Sequence, residues 1–217
     1  PQMTYTAPAF GNLTLSGGVF QPIQGTNAVG ANGSRDTGFQ GLATYSLGDT
    51  GKIWAALINQ SRDTAPNQSD IAGYEVGTAL NFGSLGLTGN YFSGEGLGTG
   101  VIGLGGADAL GQERDSQGYM LQATYKMGKT KLGINYGVST LDATSNDTVG
   151  SFGAGAATPA AAAAANAAGI LDENQQMVIG IYHSLTPSLT LAGEYITNKM
   201  KFQRTTAAGV DAESNTI

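Results

Sequence analysis

The chain has 217 residues, of which 34 are glycine, and it contains no cysteine, one histidine and one tryptophan. The absence of cysteine excludes disulfides and cysteine-based metal clusters, and the formal net charge of −6 argues against nucleic acid as a partner, because phosphate binding needs a basic surface. Charged residues make up 12% of the chain, about half the usual share of a soluble domain.

Ten segments of roughly ten residues, rich in Tyr, Leu, Ile, Val and Thr, predict β-strands. In chain order these segments lie near residues 2–7, 12–20, 38–48, 52–60, 71–83, 85–93, 117–127, 130–139, 174–185 and 188–198. The connectors between them alternate between short and long, and the long ones lie near 21–37, 61–70, 94–116, 140–173 and 199–213. This alternation predicts an antiparallel up-and-down meander with all tight turns at one end, and one all-β domain over residues 1–217.

The two faces of these strands differ in polarity, and they predict a transmembrane barrel. The polar face supplies thirteen candidates for the lining of a water-filled pore: Thr14, Ser16, Gln40, Thr44, Glu75, Asn81, Thr88, Asn90, Gln122, Thr124, Lys126, Asn135 and Glu194. The opposite face is apolar and supplies candidates for an aromatic girdle at the membrane interface: Tyr45, Tyr91, Tyr125, Tyr136 and Tyr195. Strands of about ten residues suit a tilted crossing of the hydrocarbon layer, and a sheet within lipid has to close on itself because open backbone groups find no partners there.

Two segments do not follow this alternation. Residues 53–58 (IWAALI) and 177–181 (MVIGI) are apolar on both faces. Contact between subunits, packing under an inward loop and an error of register all remain open as reasons.

Several sharper motifs are weak as evidence of chemistry. Residues 98–103 match the dinucleotide pattern G-x-G-x-x-G, but no βαβ unit surrounds them, so we expect a glycine-rich loop. His183 and Ser184 are adjacent on a strand and point to opposite faces. They therefore do not form a catalytic pair of a serine nucleophile and a histidine general base. The two inward carboxylates, Glu75 and Glu194, lie several strands apart and suit pore lining better than acid/base catalysis.

A calcium site at the loop acids would need a ligand loop of defined spacing. Asp108, Glu113 and Asp115 lack the glycine and the terminal glutamate of such a loop. The sequence therefore predicts no enzyme, with no catalytic residue, no cofactor and no metal.

Three segments carry a resemblance to a known family. MTYTAPAFGNLTLSGGVF (3–20), YKMGKTKLGINYGVS (125–139) and YHSLTPSLTLAGEYI (182–196) resemble, in order and spacing, strands of the general porins of Gram-negative outer membranes. The resemblance implies a sixteen-stranded barrel, usually trimeric, that lies in outer-membrane lipid and lets small hydrophilic solutes and ions diffuse passively. The ten strands would be the sixth to the fifteenth, with 215–217 beginning the last, so we expect a partial sequence, although a complete ten-stranded barrel is an alternative.

Charge indicates an orientation and a selectivity. The long connectors and the tail hold 13 of the 16 acids, whereas lysines gather beside the short turns. By analogy with porins the long connectors are extracellular, and acids at a pore mouth raise the local cation concentration. We therefore expect weak cation selectivity. The alternatives are a plugged structural or adhesive barrel that acts through its long loops and, with less support, a soluble glycine-rich β-sandwich.

Overall fold

Eleven strands form one sheet in a computed structural model of the chain, which describes residues 1–21, 37–61, 70–98, 105–108, 111–145, 170–203 and 212–216. Each strand pairs antiparallel with its neighbours along the chain, so that β1 and β11 are the two edges of the sheet. The strands are β1 Gln2–Thr6, β2 Leu13–Phe20, β3 Gly38–Ser46, β4 Gly51–Gln60, β5 Ile71–Phe82, β6 Leu85–Glu95, β7 Asp115–Met127, β8 Thr130–Leu141, β9 Ile170–Thr186, β10 Leu189–Gln203 and β11 Ala212–Thr216.

Short turns alternate with long connectors along the whole sheet, which confirms the predicted meander. The tightest turns have two residues each and follow β5, β7 and β9. Gly83 and Gly128 begin two of these turns with φ of 63° and 56°, a left-handed conformation in which a side chain would be strained. Since consecutive strands run in opposite directions, all short turns lie at one end of the sheet and all long connectors at the other.

Strands at the long-connector end extend further than the sequence predicted. β9 and β10 have 17 and 15 residues, more than the roughly ten that a tilted strand needs to cross the hydrocarbon layer. β11 begins at Ala212, three residues before the predicted start, and pairs with Ile196–Met200 of β10. Several acids that the sequence assigned to connectors or to the tail therefore belong to strands, namely Glu95, Asp115, Asp172, Glu173 and Glu213. The polar ends of these strands carry too little apolar periodicity to be recognised from sequence.

The two faces of the sheet have opposite character. Large apolar side chains on one face are highly exposed, such as Leu57 at 57%, Leu121 at 58% and Leu191 at 55%. Within the described strands, the charged side chains of this apolar face lie only at the long-connector end: Glu95, Asp115, Glu173, Lys199 and Lys201. A broad exposed apolar band without charge is the surface that a strand presents to lipid.

The few buried side chains gather at the long-connector end. Ile71 and Leu141 are fully buried at strand ends, and Phe20 is 8% exposed at the end of β2. Gln60 and Ser116, on the same polar-face register, are also buried. Among the described residues, no helix is long and apolar enough to cross a membrane.

Candidate pore-lining face

Strand pairing places all thirteen predicted pore-lining residues on one face of the sheet. Thr88, Gln122 and Asn135 lie directly opposite one another on β6, β7 and β8. Thr14 pairs with Thr44, and Asn81 and Thr124 share a row with Glu194 through paired glycines. We refer to this surface as the inner face. Apart from Asp172, which lies at an irregularity of β9, the charged side chains that the described strands place on it are Lys52, Glu75, Lys126, Lys131 and Glu194.

Trp54 joins a lysine to a glutamate on the inner face. Its indole Nε1 donates a hydrogen bond of 2.6 Å to Oε1 of Glu75 on the neighbouring strand. The Lys52 ammonium lies 5.7 Å from the centre of the indole ring, a distance at which cation–π attraction acts. The ring covers Gly77, the residue paired with Trp54, so closely that a Cβ there would lie 2.2 Å from Cζ2 of the indole. Lys52, Trp54 and Glu75 form what we call the Trp54 set.

A second arrangement of the same kind lies on β8, β9 and β10. The Lys131 ammonium is 5.0 Å from the centre of the Tyr182 ring, and the Tyr182 hydroxyl donates a hydrogen bond to Oε1 of Glu194. The Tyr182 side chain leans over Gly180 of its own strand, where a Cβ would lie 2.8 Å from the hydroxyl oxygen. We call Lys131, Tyr182 and Glu194 the Tyr182 set.

Other aromatic rings of the inner face also lie over glycines. A Cβ on Gly38 would be 2.2 Å from the Phe20 ring, and one on Gly118 would be 2.6 Å from the Phe92 ring. Each of these glycines is the direct pairing partner of the ring above it. The glycine leaves room for the ring to lie against the sheet, as cross-strand aromatic and glycine pairs do elsewhere.

These pairs account for part of the two apolar segments that broke the sequence alternation. In 53–58, Trp54 is the inward residue that lies over Gly77 and hydrogen-bonds to Glu75. In 177–181, the larger side chains Met177, Ile179 and Ile181 belong to the apolar face, and Val178 and Gly180 to the inner face. The aromatic and glycine pairs were missed from sequence because the pairing depends on the register between strands.

The described residues of the connector between β6 and β7 pack against the sheet. Leu97 covers Gly73 and Gly94, where an added Cβ would lie 2.8 Å from the leucine Cδ1 in each case. Arg114 is 1% exposed, and its Nη1 donates hydrogen bonds of 2.7 Å to the carbonyls of Gly105 and Ala107. The buried guanidinium thereby holds the described part of the connector together.

Two of the three acids considered for a calcium site accept hydrogen bonds from nearby groups. Asp108 accepts hydrogen bonds from the Gln112 amide at 2.9 Å and from the Thr144 hydroxyl at 2.6 Å. Glu113 accepts one of 2.6 Å from the Asp70 amide. The described part of the chain holds no group of three or more potential metal ligands.

His183 and Ser184 point to opposite faces, as predicted. The His183 Nδ1 lies 2.9 Å from the Thr130 hydroxyl, whereas the Ser184 hydroxyl lies 3.2 Å from that of Thr190. Glu75 on β5 and Glu194 on β10 are separated by four strands. Most of the glycine-rich motif 98–103 lies outside the described residues.

Tyrosines of the apolar face form a row, of which the predicted aromatic girdle included only a part. Tyr74, Tyr91, Tyr119 and Tyr136 occupy neighbouring strands β5 to β8, with ring centres 6.4 Å apart in the first pair and 6.2 Å in the last. Tyr45 and Tyr125 lie near the short turns, and Tyr195 lies within β10. The five predicted girdle residues are therefore on the apolar face. Their contact with the membrane interface stays a prediction, and Tyr74 and Tyr119 extend it.

A wide antiparallel meander with a polar inner face and an uncharged apolar band is the architecture of a transmembrane β-barrel of the porin type. Residues 1–203 match the Gram-negative porin family. The chain therefore belongs to that family and to the integral proteins of the outer membrane, and the family and its fold are those of channels rather than enzymes. No curated protein sequence matches the chain.

Three solved structures share this fold. The outer membrane channel DcaP of Acinetobacter baumannii superposes with a TM-score of 0.74 at 15% identity, over 99% of this chain and 59% of that one. An anion-selective porin from Comamonas acidovorans superposes with a TM-score of 0.62 at 16% identity, over 99% of this chain and 54% of that one. A porin refined at 1.8 Å resolution superposes with a TM-score of 0.54 at 14% identity, over 98% of this chain and 59% of that one. The present chain thus spans less than two thirds of each of these proteins.

Proposed function

We propose that the protein is a passive diffusion channel for small hydrophilic solutes and ions. The observation that carries this proposal is the inner face, on which thirteen polar or charged side chains share one register while the opposite face is an uncharged apolar band. Rings that lie against glycines also support an open lumen, because they take up little of its cross-section. No bound group or chemical step is needed for such transport.

We propose further that the channel prefers cations weakly. Support comes from the acids of the long connectors and from Glu75 and Glu194 on the inner face. Lys52, Lys126 and Lys131 share that face and oppose the effect, which is why the preference is weak. The Comamonas porin is anion-selective, so fold alone does not decide the sign of selectivity.

A homotrimer in outer-membrane lipid is the assembly that we propose for the whole protein. The resemblance to general porins supports it, and a broad apolar face is compatible with both lipid and subunit contact. Native mass measurement of the purified protein in detergent tests this assembly: a mass three times that of the polypeptide supports the trimer, and a monomeric mass overturns it.

The deciding experiment is single-channel recording of the purified protein in a planar bilayer. We expect large ohmic steps, grouped in threes for a trimer. Under a potassium chloride gradient we expect a small reversal potential with the sign of cation preference. A clear anion preference overturns the selectivity, and silence from correctly folded protein overturns the channel itself.

A further inference from the structure

A cavity of about 590 Å³ opens on the inner face near the long-connector end. Its wall is formed by β1 to β6, and Leu97 of the β6–β7 connector closes one side. The volume lies within the range of sites that bind small molecules, roughly 300 to 1,000 Å³. The cavity is distinct from the smooth polar wall expected of a simple diffusion channel, because much of its lining is apolar.

The lining divides into two parts of different chemistry. The apolar part contains Leu42, Ala56, Ile58, Phe92 and Leu97. The polar part contains Glu75 and Gln40, with the hydroxyls of Thr4 and Ser16 beside them. Among the described residues that line the cavity, Glu75 is the one charged side chain and none is basic.

Trp54 fixes the orientation of the Glu75 carboxylate. The indole Nε1 donates its 2.6 Å hydrogen bond to Oε1, and the indole ring itself lies against Gly77. Oε2 makes no hydrogen bond to any group that the structure describes. An oriented carboxylate with one uncommitted oxygen, next to apolar side chains, is suited to an ammonium group that carries an apolar body.

We propose that this cavity binds amphipathic monoamines, with the ammonium at Glu75 and an aromatic or branched aliphatic group against Ile58, Phe92 and Leu97. An anion would be repelled by Glu75, and a polyol would leave its hydroxyls without partners against the apolar part. The inference rests on the proposed channel, since the lumen is the route by which such a solute reaches the cavity. It adds a selective binding step to passive diffusion.

Trp54 provides a direct test, because it is the only tryptophan among the 217 residues and it contacts Glu75. We would titrate phenethylamine into the folded protein in detergent and follow tryptophan fluorescence, with phenylacetate as an anionic probe of the same ring size. The expected result is a saturable change for the amine and none for the acid. In Glu75→Gln the affinity should fall by roughly tenfold or more, as expected for loss of a charge-assisted hydrogen bond.

Glu194→Gln is the matched control, since Glu194 is the other inner-face glutamate bonded to an aromatic side chain and lies outside the cavity. We expect it to leave the titration unchanged. Ile58→Thr, which alters the apolar part without touching the carboxylate, should weaken binding by several-fold. A response that is equal for amine and acid, or that Glu75→Gln leaves intact, would mean partition into detergent and would overturn the proposal. Should Glu75→Gln fail to fold, Glu75→Asp and Ile58→Thr take its place in the comparison with Glu194→Gln.

Channel recording separates failure of this inference from failure of the proposed function. If the protein conducts and phenethylamine produces brief blockades that are lost in Glu75→Gln, both proposals stand. Ohmic conductance without blockades, together with no saturable fluorescence change, overturns the cavity alone. Absence of any conductance overturns the channel, and the fluorescence titration then decides the cavity independently.

Discussion

The Trp54 set and the Tyr182 set contain the same components in different surroundings. Each joins a lysine to a glutamate through an aromatic side chain on the inner face. In the Trp54 set the ring lies flat over its cross-strand partner Gly77, and the carboxylate borders the apolar cavity. In the Tyr182 set the ring contacts a glycine of its own strand, and Glu194 is exposed to solvent. The surroundings, more than the three side chains themselves, therefore decide whether such a set can select a ligand.

Charge also differs between the two regions. Lys131 of the Tyr182 set faces Lys126 directly across β8 and β7, and like charges in such positions repel. In the Trp54 set, Lys52 also lies beside a short turn, whereas Glu75 lies closer to the acid-rich connectors. The inner face is therefore more positive toward the short turns and more negative toward the long connectors, which favours weak rather than strong ion selectivity.

The largest effect should come from removing the buried cation that orders the connector above the Trp54 set. Arg114→Met leaves the carbonyls of Gly105 and Ala107 without their donor, at a cost of about 1–3 kcal/mol for each unsatisfied group. We expect the β6–β7 connector to become sensitive to protease and the Trp54 emission to change as Leu97 moves away. Limited proteolysis with mass spectrometry measures the first effect and fluorescence the second.

Lys131→Met is the matched control, because it removes an exposed cation from the Tyr182 set. It should leave both the cleavage pattern and the Trp54 emission unchanged. A connector that stays as resistant in Arg114→Met as in the unmodified protein would refute the structural role of Arg114.

The next effect concerns the glycines beneath the two aromatic side chains. In Gly77→Ala the new Cβ would lie 2.2 Å from the indole, so the ring has to leave the wall, at a cost of about 1–3 kcal/mol. In Gly180→Ala the nearest atom is the Tyr182 hydroxyl oxygen at 2.8 Å, at the end of a side chain that can rotate away, so the cost should be smaller. Urea unfolding in detergent measures both.

Gly137→Ala serves as the control for this pair of variants. Gly137 also lies on the inner face, and its nearest contact for an added Cβ is an ordinary 3.6 Å to the Tyr119 carbonyl. Equal stability of the Gly77, Gly180 and Gly137 variants would contradict the view that the rings depend on the glycines beneath them.

The face of each strand and the order of the strands could be predicted from the sequence, whereas the cavity could not. Alternation along each strand was enough to put all thirteen candidate pore residues on one face, and the lengths of the connectors were enough to give the meander. Both signals are local, since side-chain direction repeats every two residues. The cavity, by comparison, was not predictable, because it depends on Leu97 folding back over Gly73 and Gly94. The orientation of Glu75 in its wall depends on Trp54, which lies over Gly77. These contacts join strands whose relative register no single segment specifies.

Ion selectivity offers a smaller but sharper test of the charge difference. Replacing Lys126 and Lys131 together by Gln should increase cation preference, and Glu75→Gln should decrease it. Each change in the permeability ratio should be below about twofold, because charges across a water-filled lumen are weakened by water and screened by salt. Reversal potentials at two salt concentrations measure the shifts, and a larger shift at high salt than at low salt would be inconsistent with an electrostatic origin.

The smallest expected effect is that of an exposed ion pair at the long-connector end. Lys201 Nζ lies 2.6 Å from Oε1 of Glu173, with the lysine half exposed. The hydrogen bond from Lys201, assisted by one from Gln175 and opposed by partial burial, holds the pKa of Glu173 below its ordinary value. The pair therefore stabilises the ends of β9 and β10 above the ordinary pKa, and this contribution is lost as the pH falls through the lower folded pKa. For an exposed pair we expect no more than about 1 kcal/mol, measured by amide hydrogen exchange of these strands from neutral to acid pH. In Glu173→Gln the pH dependence of exchange at the ends of β9 and β10 should disappear. An unchanged pH profile in Glu173→Gln would assign the effect to other groups.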